Sequence, residues 1–159
     1  MNTNRALVDC TIDGTQFFVE LIAEGDAITA CTMLGRQRKA AATEPAKGVL
    51  RDAAKQLRHY FSGKSNTLDI PLELHGTEFQ QTVWDAARTI PAGEVRSYTW
   101  LARKVGKPRA VRAVASALGA NPALLFVPCH RVLRSNGDLG GFSCGLEWKE
   151  LLLAHEGRQ

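Results

Sequence analysis

Between residues 6 and 33, apolar positions recur in short runs: Leu7, Val8, Ile12, Phe17, Phe18, Val19, Leu21, Ile22, Ile28 and Met33. This spacing predicts strands, with Asp13-Gly14 and Glu24-Gly25-Asp26 as the turns between them. From Lys47 to Phe61 the period changes. Val49, Leu50, Ala53, Leu57 and Tyr60 or Phe61 return at helical spacing, and Gly63 is placed to stop the helix. Residues 63–71 are polar and read as a linker, so the expected domains are 1–70 and 76–159.

The second stretch predicts helices. Thr77 is a plausible N-cap, followed by Phe79, Val83, Trp84 and Ala87 on a helix that must end before Pro91. Ser97 reads as the next N-cap, Gly106-Lys107 as a turn, and Pro108 as the first residue of another helix. Two short helices about a glycine turn form a helix-turn-helix pattern. On the second of them, Val111, Val114, Ala115 and Leu118 face the core, while Arg109, Arg112, Ala113 and Ser116 face outward. Small residues beside two arginines suit close approach to a polyanion. The run Leu124 to Val127 then predicts a buried strand ending in Pro128-Cys129-His130-Arg131-Val132. A glycine-rich loop covers 134–145, and a last helix runs from Leu146 to His155, ending at Gly157. The fold class expected is α/β of the α+β kind: a small N-terminal sheet-plus-helix domain, then a mostly helical C-terminal domain with the helix-turn-helix.

Composition alters this picture in one respect. A chain of 159 residues, 45% hydrophobic and 23% charged, can bury one good core or two small ones. Its net charge of +4 is unevenly placed: between Arg96 and Arg134 stand eight Arg or Lys and no Asp or Glu. That stretch is where a nucleic acid or phosphate partner is expected. The start of the chain shows no signal peptide, and no apolar run approaches membrane-spanning length, so no membrane partner is expected. Cys10, Cys31, Cys129 and Cys144 form no CxxC pair. Thiols in a reducing cytoplasm and no metal site are the expectation.

Cys129 is the candidate nucleophile. A thiol needs a neighbouring histidine, helix N-terminus or cation to ionise, and His130 follows it directly. Consecutive strand residues point to opposite sides, so contact between the two requires a turn or a bridging water. From the residues alone, a buried cysteine that simply fills the core stands as an equal alternative.

Residues 76–157 resemble the O6-alkylguanine–DNA alkyltransferases. The resemblance is carried by Pro128-Cys129-His130-Arg131-Val132, Ser97-Tyr98, Arg109 to Val114, Asn121-Pro122, Gly140, Ser143 and Leu152 to Gly157, in the family's order. It implies irreversible, stoichiometric transfer of an alkyl group from O6-alkylguanine in double-stranded DNA to Cys129, with O4-alkylthymine left open. It further implies that His130 and Glu156 form a relay through a water, that Asn121 holds the turn before the thiol, and that Tyr98 protonates the departing base. Val132, Phe142, Ser143 and Cys144 would shape the pocket. Arg112 would fill the stack left by an extruded base, and Arg109, Ala113, Ser116 and Ser97 would meet DNA. No cofactor is implied. The expected state is a monomer, with cooperative assembly on DNA left open.

Two positions depart from the family pattern. Phe142 stands where Tyr is common, which removes a hydroxyl, and Cys144 stands where Gly is usual, which is expected to narrow the pocket and places a second thiol near Cys129. The alternatives are a non-catalytic binder of alkylated DNA, a helix-turn-helix regulator with an incidental thiol, and a thiol hydrolase. The first replaces the acceptor cysteine, which is intact here.

Overall fold

The computed structural model describes residues 3–35, 45 and 47–157. Strands β1 (Thr3–Ile12), β2 (Thr15–Glu24) and β3 (Ala27–Leu34) form an antiparallel meander in that order. Asp13 and Gly14 both take positive φ, 48° and 76°, as a two-residue type I′ turn requires. Along β2, Phe17, Val19, Leu21 and Ala23 are buried and alternate with half-buried neighbours. Helix α1 (Gly48–Phe61) buries Ala53, Ala54, Leu57, Tyr60 and Phe61, and the Phe61 ring stands edge-on to Phe17 at 4.9 Å. Gly63 stops α1 as expected. Its N–H donates to Tyr60 O and that of Lys64 to His59 O, the paired bonds of a Schellman end.

The open edge of β3 is used twice. Ile28 bonds Pro71 O and receives Glu73 N–H, and Cys31 bonds Pro122 O and receives Leu124 N–H. Here the expected strand over Leu124–Val127 is corrected. The segment makes an isolated bridge at Ala123 and then turns, with Leu125 at φ 75°. All four residues are buried, so the apolar run reports burial and not extension. The chain gathers into two compact units, 1–74 with 122–126, and 75–121 with 127–159.

In the second unit, α2 (Glu78–Ala87) opens with a full capping box. Thr77 Oγ1 accepts from Gln80 N, and Gln80 Oε1 accepts from Thr77 N. The indole N–H of buried Trp84 donates to Ala117 O at 2.8 Å and ties α2 to α4 (Val111–Gly119). Two-residue strands β4 (Arg96–Ser97) and β5 (Val132–Leu133) pair in parallel. Ser97 then caps α3 (Tyr98–Lys104) by accepting from Trp100 N.

The start of α4 is a second correction. Pro108 occupies a turn closed by Ala110 N–H to Lys107 O, and the helix begins three residues later, at Val111. Proline fits the second position of such a turn as well as a first helical position. Arg109 therefore lies before α4, exposed, while Arg112, Ala113 and Ser116 are exposed on it. Val114, Ala117 and Leu118 are its buried face. The last helix is α5 (Leu146–Gly157). Among the described residues, no helix is long and apolar enough to cross a membrane.

Candidate active site

The site is built on the segment that follows Val127. Pro128 sits at φ −80°, ψ 64°, the centre of an inverse γ-turn closed by Cys129 N–H to Val127 O at 2.8 Å. Cys129–Arg131 then form one 3-10 turn. This is the turn that a strand reading lacked. Asn121 braces it: its amide donates to Val127 O at 2.9 Å, and its side chain also hydrogen-bonds the Cys129 sulfur.

His130 is fully buried, and its Nε2 lies 2.9 Å from Glu156 Oε2. Glu156 also accepts from Arg131 Nε at 2.9 Å and Arg131 Nη2 at 2.6 Å, while Arg131 Nη1 donates to Ile90 O at 2.7 Å. His130 and Arg131 together hold the Glu156 carboxyl far below the usual glutamate range, overcoming the opposing effect of burial. Burial drives His130 below its ordinary value, against the pull of Glu156, so the imidazole is neutral at neutral pH. An ionised carboxylate can only accept, so Nε2 carries the proton. Nδ1 is left as the lone-pair nitrogen, buried and with no protein hydrogen-bond partner. An imidazole of this kind is equipped to take a proton.

Cys129 is 8% exposed, and burial pushes its thiol above the ordinary range. The Asn121 hydrogen bond and the Lys149 ammonium act in the opposite direction. At rest the sulfur is therefore a thiol that must lose its proton to react. No direct hydrogen bond joins it to His130.

Cys129 opens on a cavity of about 370 Å³ whose lining includes Tyr98, Ala115, Ser116, Phe142 and Ser143. One wall is thus α4 and the other the glycine loop. Tyr98 is brought there by its place after the Ser97 cap. Burial raises the pKa of its hydroxyl above the ordinary tyrosine value, so it stays protonated. A Cβ at Gly140 would lie 2.9 Å from that hydroxyl, and Gly140 has φ 71°. Glycine is required here on both counts.

The structure brings together Cys129, Tyr98, Ser116, Phe142 and Ser143 around one cavity, with Asn121, His130 and Glu156 behind the thiol. Val132 and Cys144 are not on the cavity wall. Val132 is fully buried in β5, and its carbonyl accepts from Lys149 Nζ at 2.7 Å. Cys144 is half-buried in the loop. Ala115, expected in the core, lines the cavity instead. Two residues received no role from the sequence. Arg131 stood inside the quoted motif, where its charge was the available signal; Lys149 gave none, being one lysine in a mixed helix. Among the described residues no cluster of His, Cys, Asp and Glu could hold a metal ion.

Residues 78–158 match the family described as 6-O-methylguanine DNA methyltransferase, DNA binding domain, and residues 19–74 match its ribonuclease-like domain. The chain belongs to the 6-O-methylguanine DNA methyltransferase family. A family relative from Mycobacterium bovis, a methylated-DNA–protein-cysteine methyltransferase, is 41% identical over 148 residues, covering 92% of this chain and 90% of that one. A protein of the same name from Methanosarcina acetivorans is 48% identical over 107 residues, 67% of this chain and 69% of its own. In three dimensions the chain is similar to Mycobacterium tuberculosis OGT in a crystal structure with DNA. The TM-score is 0.79 at 41% identity, covering 89% of this chain and 87% of that one. The methyltransferase family match thus spans both compact units and includes every residue of the site.

Proposed function

We propose that this chain is a methylated-DNA–protein-cysteine methyltransferase that performs direct-reversal repair, taking the alkyl group of O6-alkylguanine in double-stranded DNA onto Cys129. The observation that carries this reading is the placement of a thiol, backed by a neutral imidazole and its carboxylate, on a cavity walled by α4, the helix that exposes Arg112. The family membership and the DNA complex of a 41% identical relative support it.

In the proposed reaction, His130 Nδ1 takes the Cys129 proton through one water, and Glu156 stabilises the imidazolium that forms. The sulfur attacks the alkyl carbon, the carbon–oxygen bond breaks, and its electron pair leaves with the guanine. Tyr98 supplies the proton that makes guanine a neutral leaving group. A thioether has no good leaving group, so each molecule acts once. An alkyl group within the stack is out of reach, so the base is extruded into the cavity. Arg112 fills the space left behind. Arg109, Ala113 and Ser116 face the duplex, and Ser97 shapes that surface by capping α3. The sheet unit acts as a support. The protein works as a monomer in the reducing cytoplasm, and its reaction needs no cofactor.

Incubation with a duplex carrying O6-methylguanine, followed by intact and peptide mass, tests this. The expected result is a single gain of about 14 Da on Cys129 and none in Cys129→Ala, which still binds duplex. An unmodified Cys129, or more than one guanine repaired per molecule, overturns it.

A further inference from the structure

On α3, Leu101 and Ala102 turn into the core with no exposed surface, and Tyr98 turns to the cavity. Trp100 falls about 200° from Tyr98, at about 100° per residue, so it stands on the outer side of the helix. It is nonetheless half-buried, with two cations lying against it. The Arg96 guanidinium carbon is 5.5 Å from the centre of the indole, and the Lys104 nitrogen is 6.0 Å from it. Both lie within the range over which an aromatic face attracts a cation. Lys104 follows Trp100 by one helical turn, and Arg96 reaches the ring from β4, so one indole sets the spacing of two charges. Arg96 also donates from Nη2 to Glu94 Oε1 at 2.8 Å and from Nη1 to Val95 O at 2.9 Å. The Glu94 pair is open to solvent, which makes it weak and exchangeable. Lys104 makes no ion pair among the described residues. Beside Trp100, the Thr99 and Ser135 hydroxyls are hydrogen-bonded at 2.8 Å, which anchors α3 to the loop after β5.

We propose that this outer face of α3 is a second contact with duplex DNA, separate from α4: Arg96 and Lys104, spaced by Trp100, each take a phosphate of the strand beside the extruded nucleotide. The assignment rests on duplex DNA as the partner and is independent of Cys129 as the acceptor. Trp100 is a positioning residue, since it holds the two cations and touches no reacting atom. A long side chain loses rotamer freedom when it binds, and a ring that already restrains it lowers that cost. The phosphate takes the place of Glu94 on Arg96, an exchange that a weak exposed pair permits. Fixed positive charge in a stretch without acids, from Arg96 to Arg134, is what a row of phosphates complements. Phosphate contacts read no base, so this face strengthens binding to damaged and undamaged duplex alike.

The test is the salt dependence of binding to an undamaged labelled duplex, read by fluorescence anisotropy between about 50 and 200 mM salt. Each phosphate contact contributes about 0.9 to the slope of log affinity against log salt. Arg96→Gln and Lys104→Gln should each flatten the slope by about that amount. Lys55→Gln, on the exposed side of α1, removes the same charge elsewhere and is expected to leave the slope unchanged. Trp100→Leu keeps every charge; it is expected to weaken binding about fivefold at about 100 mM salt, with Trp100→Phe restoring most of it. An unaltered slope in both glutamine variants overturns the contact, and native-like binding by Trp100→Leu overturns the positioning role. Should Trp100→Leu fail to fold, the two glutamine variants decide, because both remove only a solvent-facing charge. A native chain that binds no duplex overturns this contact and the repair reading together. Flattened slopes alongside a native chain that transfers no methyl group sink the repair reading and leave the α3 contact standing. Unaltered slopes alongside a native chain that does transfer it have the reverse meaning.

Discussion

Glu156 accepts from His130 Nε2 and twice from Arg131, all three side chains being buried. Glu156→Gln leaves the guanidinium without its counter-charge, a change that costs about 3–5 kcal/mol where a buried pair loses one member. Urea unfolding at neutral pH measures it. The sign with pH follows from the direction of the shift: a carboxyl held below its ordinary range stabilises the fold above that range. That stabilisation is lost as pH falls through the range toward the folded value. The native chain should lose stability steeply in acid, and the Gln variant should show a flatter curve there. Gly140→Ala is expected to cost about 1–2 kcal/mol from its left-handed backbone alone, with a further penalty where the new methyl meets the Tyr98 hydroxyl. Slowed transfer, measured together with stability, checks that the Tyr98 position has moved. At this scale the sequence made Cys129, His130, Asn121, Tyr98 and Glu156 candidates through their motifs. It left Arg131 and Lys149 without roles, because a residue's partners across the fold leave no mark on its own spacing.

Local chemistry was readable at several element ends. Thr77 with Gln80, Ser97, Gly63 and Asp13-Gly14 stop or start elements through groups at most five residues apart. Thr77→Ala removes one half of the capping box on α2, and a loss of about 1 kcal/mol is expected, read as a lower urea midpoint. Because α2 is tied to α4 through Trp84 and Ala117, the same variant should fray amide protection at the start of α2 first and keep it at that junction. Two elements were misread for the same reason. Pro108 satisfies a turn and a helix start equally well, and Leu124 to Val127 is apolar because it is buried, not because it is extended. In both places the local pattern admits two backbones, and packing selects one.

For the molecule as a whole, the charge balance is the quantity to test. The stretch with eight basic and no acidic residues includes α3 and α4, so binding to duplex should release counterions. Apparent affinity for duplex is expected to fall along a straight line on logarithmic axes, by an order of magnitude or more between about 50 and 200 mM salt. Reaction with a free O6-alkylguanine base, which offers no phosphates, should stay nearly flat over the same range. Equal salt dependence for both substrates would argue against α4 as the duplex-facing surface.

The sequence alone determined the caps at Thr77 and Ser97, the Asp13-Gly14 turn, the Gly63 stop, the small residues around Arg112 on the outer face of α4, and the thiol motif, since each depends on residues that are neighbours along the chain. Tertiary structure decided which partners meet: Glu156 with Arg131, Lys149 with three carbonyls, and Tyr98 against Gly140. It also decided that Cys129 rests as a thiol beside a neutral imidazole. Those contacts join residues 8 to 42 positions apart. Their desolvation and charge arise only when packing removes the intervening water, which no local pattern encodes.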